Sequence, residues 1–383
     1  MIDQRRLSMA DIIVGEPLPW DVYGSGNKLL LRRGQVVVNA RQAEELVSRG
    51  LFVNAGQEDR AAQARKEAKA AATREVPSAL RLINLANKRL ERLLYNVANE
   101  PDAEAKFVEV VKALEYALNI NTDVAVASIF LNQAASKYAV RHCIDSALIA
   151  CIIARAMNKS REETQQLMAA ALTMNIAMLR YQDGLLTRQD PLSEKEAELI
   201  RSHPAQGIEL LKQAGIAHAD WLSYILLHHE NEDGSGYPGK KEISAVPQNA
   251  RILAYADRYC ASVSTRKYRK SLLPSAALRD VLIAKGKPAD PMLAAYFIKE
   301  LGTAPPGAFV RLQNGEIGVV TRRGIAATTP VVHTFIGPRG APLSFPIQRD
   351  TSKELYAIRD ALSSEQAMLP FSMQQLWGEE AAL

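Results

Sequence analysis

Apolar positions change their spacing along this chain, and the changes mark its parts. Leu18-Pro19-Trp20-Asp21-Val22-Tyr23 and Lys28-Leu29-Leu30-Leu31-Arg32 have strand-like composition and flank Gly24-Ser25-Gly26-Asn27, whose residues tolerate a tight turn. Asn39 followed by Gln42 predicts a helix start, and Gly50 its stop. Gln57–Glu75 is polar and alanine-rich with no apolar stripe, as in a linker. Ser78 then caps a helix whose apolar residues Leu82, Ile83, Ala86, Leu90, Leu93, Leu94 and Val97 follow the 3.6-residue period. Helical patterns continue over Phe107–Leu118, Val124–Leu131, His142–Met157, Glu163–Met178, Glu194–Ala214, Ala219–His229, Asn249–Ser264, Ala276–Ala284 and Pro291–Leu301. Beyond Pro305-Pro306-Gly307, Phe309–Leu312 and Ile317–Thr321 around Asn314-Gly315 predict a hairpin. Val331–Phe335 adds a further strand, and a polar helix ends the pattern.

The expected fold is therefore mainly α, a helical core with small β-rich modules at both ends. The expected parts are a β-rich module over 1–56, a charged linker over 57–76, a helical domain over 77–301 and a β appendix with a C-terminal helix over 302–383.

Composition narrows the function. With 383 residues, 48% hydrophobic and 23% charged, the chain suits a globular protein of two to three domains. No stretch approaches the ~20 apolar residues of a spanning helix, so no membrane span is expected. Nothing resembles a secretory leader, and three cysteines cannot form a disulfide framework, which fits a reducing cytoplasm. The net charge of +5 is diffuse and comes with no nucleic-acid-binding signature, so nucleic acid is not an expected partner.

Six histidines occur, and His142, His203 and the pair His228-His229 fall in the helical region. Imidazole suits divalent transition metals, and histidines from separate helices of a bundle can form a metal cage. The pair runs straight into Glu230-Asn231-Glu232-Asp233-Gly234-Ser235-Gly236-Tyr237-Pro238-Gly239, which puts ligand-type residues at a helix end beside a turn carrying an aromatic ring.

His228 to Gly239 resembles the signature of the HD-GYP family, bacterial metal-dependent phosphodiesterases acting on cyclic di-GMP. Tyr138-Ala139-Val140-Arg141-His142 resembles the family's Tyr-Thr-x-x-His, and His203-Pro204 with Gly207 and Leu210-Leu211 its His-Pro-x-x-Gly-x-x-Leu-Leu. Arg251 to Asp257 resembles the helix ending in a metal-binding Asp, and Arg266-Lys267-Tyr268-Arg269 the following Arg-Pro-Tyr-Arg. The resemblance spans Lys137 to Arg269, about a third of the chain, with helical similarity to Leu301. It implies an HD-type bundle, metal ligands at His142, His203, His228, His229 and Asp257, and substrate contacts from Arg266, Arg269 and Tyr237.

One segment departs from the family. Where Ala-Ala-Leu-Leu-His-Asp-Ile-Gly-Lys is usual, this chain has Ala170-Ala171-Leu172-Thr173-Met174-Asn175-Ile176-Ala177-Met178. In the family the His is a ligand, the Asp bridges two metals and the Lys faces a substrate phosphate. A bridging carboxylate offsets the repulsion of two dications ~3.5–4 Å apart. Asn175 is neutral, Met174 is a soft thioether poorly matched to iron, manganese or zinc, and Met178 carries no charge for phosphate. One metal position would keep only His142 and Asp257, the other His203, His228 and His229 with Asn175 beside them. At most one metal per chain is expected, down to none.

Two functions compete on these residues. One is a cyclic di-GMP signalling protein with an impaired site, which senses the dinucleotide or docks on a diguanylate cyclase (GGDEF) domain through the Gly-Tyr-Pro loop. The other is an active phosphodiesterase yielding pGpG or GMP. Cys260 reads as a buried filler, and Asp145, three residues after His142, as an exposed acid with a second reading as the acceptor that orients His142.

Overall fold

The computed structural model describes residues 4–18, 21–24, 28–49, 52–54, 76–132, 136–185, 190–231, 233–264, 271–284, 287–288, 290–367 and 371–383. The expected turn at 25–27, Gly50, most of the 57–76 linker, and Arg266 and Arg269 lie outside these residues. The chain divides into two compact units, Met1–Val76 and Pro77–Leu383.

The first unit holds a four-stranded antiparallel sheet in the order Gln4–Arg6, Phe52–Asn54, Val22–Gly24, Lys28–Leu31. The helix Ala40–Ser48 begins as its sequence predicts, with the Asn39 side chain accepting from the Gln42 N–H. A small core of Leu7, Ile12, Leu18, Val22, Val37 and Ala43 holds this unit together.

The second unit is a helical bundle followed by a β part. Its helices start on local caps: Ser78 for Ala79–Asn96, Asn121 for Thr122–Leu131, and capping boxes at Ser160/Glu163 and Ser193/Glu196 for Arg161–Thr173 and Glu194–Gln213. The helix Tyr138–Ala156 is buried along almost its whole length and packs on Arg161–Thr173 and on Gln248–Val263. A helix apolar on every side belongs at the centre of a bundle.

The helix expected over Glu163–Met178 stops at Thr173. Met174 and Asn175 turn the chain, and Ile176–Met178 is a separate 3₁₀ turn. Thr173, the last helical residue, donates its hydroxyl to the Ala169 carbonyl at 2.7 Å and accepts from Trp221 Nε1 at 2.8 Å. The pattern over Ala276–Ala284 likewise divides, into the helix Pro274–Leu282 and a two-residue strand, Ile283–Ala284, paired with Lys287–Pro288. The polar C-terminal helix is two short ones, Ser364–Ala367 and Met373–Trp377.

The β part is a five-stranded antiparallel sheet in the order Pro342–Asp350, Val331–Ile336, Ile317–Arg322, Phe309–Leu312, Ile358–Leu362. The predicted hairpin and third strand are its middle. Its outer strands, which the pattern did not announce, are polar, and one contains prolines, as edge positions tolerate. Gly307, at φ +91°, lets this part abut the helix Thr122–Leu131, since a Cβ there would lie 2.8 Å from Ala127 Cα. Arg323 ties the sheet to the bundle through Asp123 (2.9 Å) and Glu300 (3.1 Å). Among the described residues, no helix is long and apolar enough to cross a membrane.

Candidate metal centre

Three histidines meet where the end of one helix faces the interior of another. His203 lies inside Glu194–Gln213, and His228 and His229 directly follow Ala219–Leu227. One ligand nitrogen from each lies within 4.8 Å of the others. The His228 and His229 rings lie tilted to each other at 40° with centroids 4.0 Å apart, and His203 stands edge-on to both at 5.4 and 5.1 Å.

Hydrogen bonds orient two of these rings. His203 Nδ1 lies 2.5 Å from the Ile200 carbonyl and His228 Nδ1 2.6 Å from the Ile225 carbonyl. A carbonyl oxygen only accepts, so both Nδ1 atoms carry the proton and both Nε2 atoms keep a lone pair. Those Nε2 atoms are buried and have no hydrogen-bond partner. Burial also holds the rings neutral: His203 is lowered to about 4, His228 is lowered, and His229 falls well below the usual histidine range. Neutral imidazoles with bare, inward-facing nitrogens are what a transition metal binds. The residues fit such a metal.

His142 and Asp257 come to the same region from Tyr138–Ala156 and Gln248–Val263, but they bond to each other, with His142 Nε2 2.7 Å from Asp257 Oδ1. Burial opposes the Asp257 charge, yet the hydrogen bond from His142 holds its carboxyl below the usual carboxylate range. The other nitrogen, His142 Nδ1, is buried without a hydrogen-bond partner, and the Tyr138 ring stacks on this histidine at 5.4 Å. Asp145 therefore does not orient it. Nor is Asp145 exposed: it is buried, 3.6 Å from Arg141, and burial pushes its carboxyl up against the pull of that guanidinium. The helix Tyr138–Ala156 is covered on every side, which the spacing of one acid from one histidine cannot reveal. Cys260 is fully buried, as a filler would be.

The Met174-Asn175 turn lies against His203's helix. A Cβ on Gly207 would lie 3.4 Å from Ile176 Cγ2 and 4.0 Å from the Met174 carbonyl. The Met174 side chain belongs to the apolar core, Met178 is half-buried, and Asn175 is buried with its Oδ1 unpartnered. Its backbone N–H bonds to the Cys143 thiol.

The loop after His229 folds back over the site. Glu230, whose role the sequence did not suggest, is buried and accepts from the backbone N–H of Gly239 (2.6 Å) and of Lys241 (3.0 Å). Gly236 lies flat on the chain, since a Cβ there would sit 2.4 Å from Asn231 N. Tyr237 N–H then reaches the His229 carbonyl at 3.1 Å, and its ring leans on the His229 ring at 4.7 Å. Tyr237 thus faces the histidines.

The sequence profile of the HD domain family matches residues 106–293. The cyclic di-GMP phosphodiesterase PA4108 of Pseudomonas aeruginosa is 29% identical over 216 residues, 56% of this chain and 52% of that protein. The cyclic di-GMP phosphodiesterase response regulator RpfG of Xanthomonas campestris pv. campestris is 33% identical over 144 residues, 37% of this chain and 38% of that protein. The chain thus spans about half or less of these relatives' lengths. A solved structure, Bd1817, a HDG"Y"P protein from Bdellovibrio bacteriovorus, covers 77% of this chain and 98% of its own at a TM-score of 0.45 and 16% identity.

Proposed function

The HD domain family profile matches residues 106–293, and from that premise we propose a cyclic di-GMP signalling protein of the HD-GYP kind with an impaired phosphodiesterase site. It acts by sensing the dinucleotide or by contacting another protein. The ligand class comes from what the relatives are named for. The observation that supports the impairment is a triad of imidazoles with which, among the described residues, no carboxylate is grouped, while Asp257 bonds to His142; by the family resemblance, Asn175 replaces the bridging Asp.

His203, His228 and His229 would hold one divalent transition metal, of the iron, manganese or zinc type. When bound, such an ion supplies Lewis-acid polarisation of a phosphoryl oxygen. Burial pushes the Tyr237 phenol up, so it stays protonated and can donate to an anionic ligand. Arg266 and Arg269 are the proposed phosphate contacts, since a guanidinium binds phosphate bidentately. A diguanylate cyclase partner has no support in the comparisons, and Tyr237 is turned toward His229, so docking through this loop stands outside the proposal.

A second reading, an active phosphodiesterase, is favoured by the relatives' names and by three imidazoles that leave coordination positions open. One set of measurements separates the two. The purified chain should hold at most about one metal, lost in His228→Ala and less affected in His142→Ala. Two tightly bound equivalents would overturn the proposal. Met174→His, Asn175→Asp and Met178→Lys together should bring metal content toward two and raise cyclic di-GMP hydrolysis by ~100-fold or more, while each alone does little. Met174 lies in the apolar core, so melting curves must accompany the assay. Wild-type hydrolysis as fast as that of the folded triple variant would establish the second reading.

A further inference from the structure

Pro204 sits inside the helix Glu194–Gln213, directly after a metal-type histidine. A proline has no N–H, so the carbonyl four residues earlier, that of Ile200, receives no helical hydrogen bond. The oxygen that takes the His203 Nδ1 proton is this same Ile200 carbonyl, at 2.5 Å. His203 is fully buried, and its Nε2 is left without a protein partner. His228 reaches the same arrangement by another route. Its helix ends at Leu227, where the carbonyls of the last turn lack helical donors, and its Nδ1 takes the Ile225 oxygen at 2.6 Å.

We propose that Pro204 is a positioning residue: by freeing the Ile200 carbonyl it locks His203 in the Nδ1–H tautomer and aims Nε2 into the triad. Proline in a helix interior ordinarily destabilises it. Here the missing bond is transferred to a side chain, so helix stability is exchanged for a fixed ligand. The consequence for metal affinity rests on the metal reading given above. The tautomer does not, because it follows from the hydrogen bond alone.

Pro204→Ala in the full chain tests the idea. The alanine N–H competes for the Ile200 oxygen and restores the helical ladder, so the melting temperature should rise. Long-range ¹⁵N–¹H spectra of the metal-free, histidine-labelled protein should show His203 moving from a single Nδ1–H form toward a tautomer mixture. His228, whose carbonyl is freed by a helix end, should keep its form. Zn²⁺ titration should give about a tenfold or greater loss of affinity, the scale associated with losing a partner that orients a ligand. A residue with a merely structural role would move stability and affinity in the same direction and leave the tautomer alone.

A variant with the single Nδ1–H form and wild-type Zn²⁺ affinity overturns the inference, as does one in which both histidines change together. Tautomer mixing confined to His203, in a protein whose wild type binds no Zn²⁺, upholds the inference and removes the metal reading instead.

Discussion

Protons and the proposed metal would compete for the same nitrogens in the triad, and burial disfavours the proton. His203, His228 and His229 are held neutral chiefly by burial, His203 down to about 4. An unfolded chain protonates these rings near 6.5. Between about 4 and 6.5 the unfolded state therefore binds more protons, and stability rises with pH across that window. The contribution is complete above 6.5 and is lost as pH falls toward 4. Melting curves of the metal-free protein should shift to lower temperature from pH 7 to pH 4.5, and by less in His203→Asn. Curves that coincide across this range would contradict neutral buried imidazoles. Two histidines that look alike in the sequence thus differ in use: His203 presents a bare nitrogen, whereas His142 shares its Nε2 with Asp257.

Elements deliver these residues through their ends and irregularities. His228 and His229 stand where a helix stops, His203 beside a proline inside one, and Asn175 just past the end of another at Thr173. The loop from Glu230 to Lys241 is held by two backbone bonds to one buried carboxylate and by the flat approach of Gly236. Gly236→Ala would set a methyl group against the backbone of His229, Glu230 and Asn231, which cannot rotate away as a side chain can. The loop should lift, the Tyr237–His229 contact should open, and stability should fall by ~1–3 kcal/mol. Thermal melts would register the loss, and the Tyr237 ring-current shift on His229 would register the opening. An unchanged His229 spectrum in the folded variant would show that the loop does not depend on this approach.

At the scale of the molecule, every histidine of the triad lies in Pro77–Leu383, and the first unit has a core of its own. A chain beginning at Pro77 should keep the metal content and main melting transition of the full protein. Loss of metal on removing residues 1–76 would show that the first unit supports the site. Arg323, joined to Asp123 and Glu300, makes the C-terminal sheet part of the same unit as the bundle, so its removal should not be neutral in this way.

Local chemistry made much of this legible. Caps at Asn39 and Ser78, the 3.6-residue stripes and the Asn314-Gly315 hairpin act over a few residues, so the sequence alone determined them. The histidine pair running into a Gly-Tyr-Pro turn is also a local arrangement of chemical types, which marks it as a candidate in the sequence, while the wider ligand set follows only from the family resemblance. Edge strands escaped because their polarity is permitted by a place in the sheet that only the neighbouring strands assign. Asp145 escaped because its burial comes from helices distant in sequence. The division of the ligand-type residues also needed the tertiary structure: which nitrogens converge, and that Asp257 is bonded to His142, depends on how separate helices cross. Spacing along one chain carries no record of those crossings; packing between helices sets them.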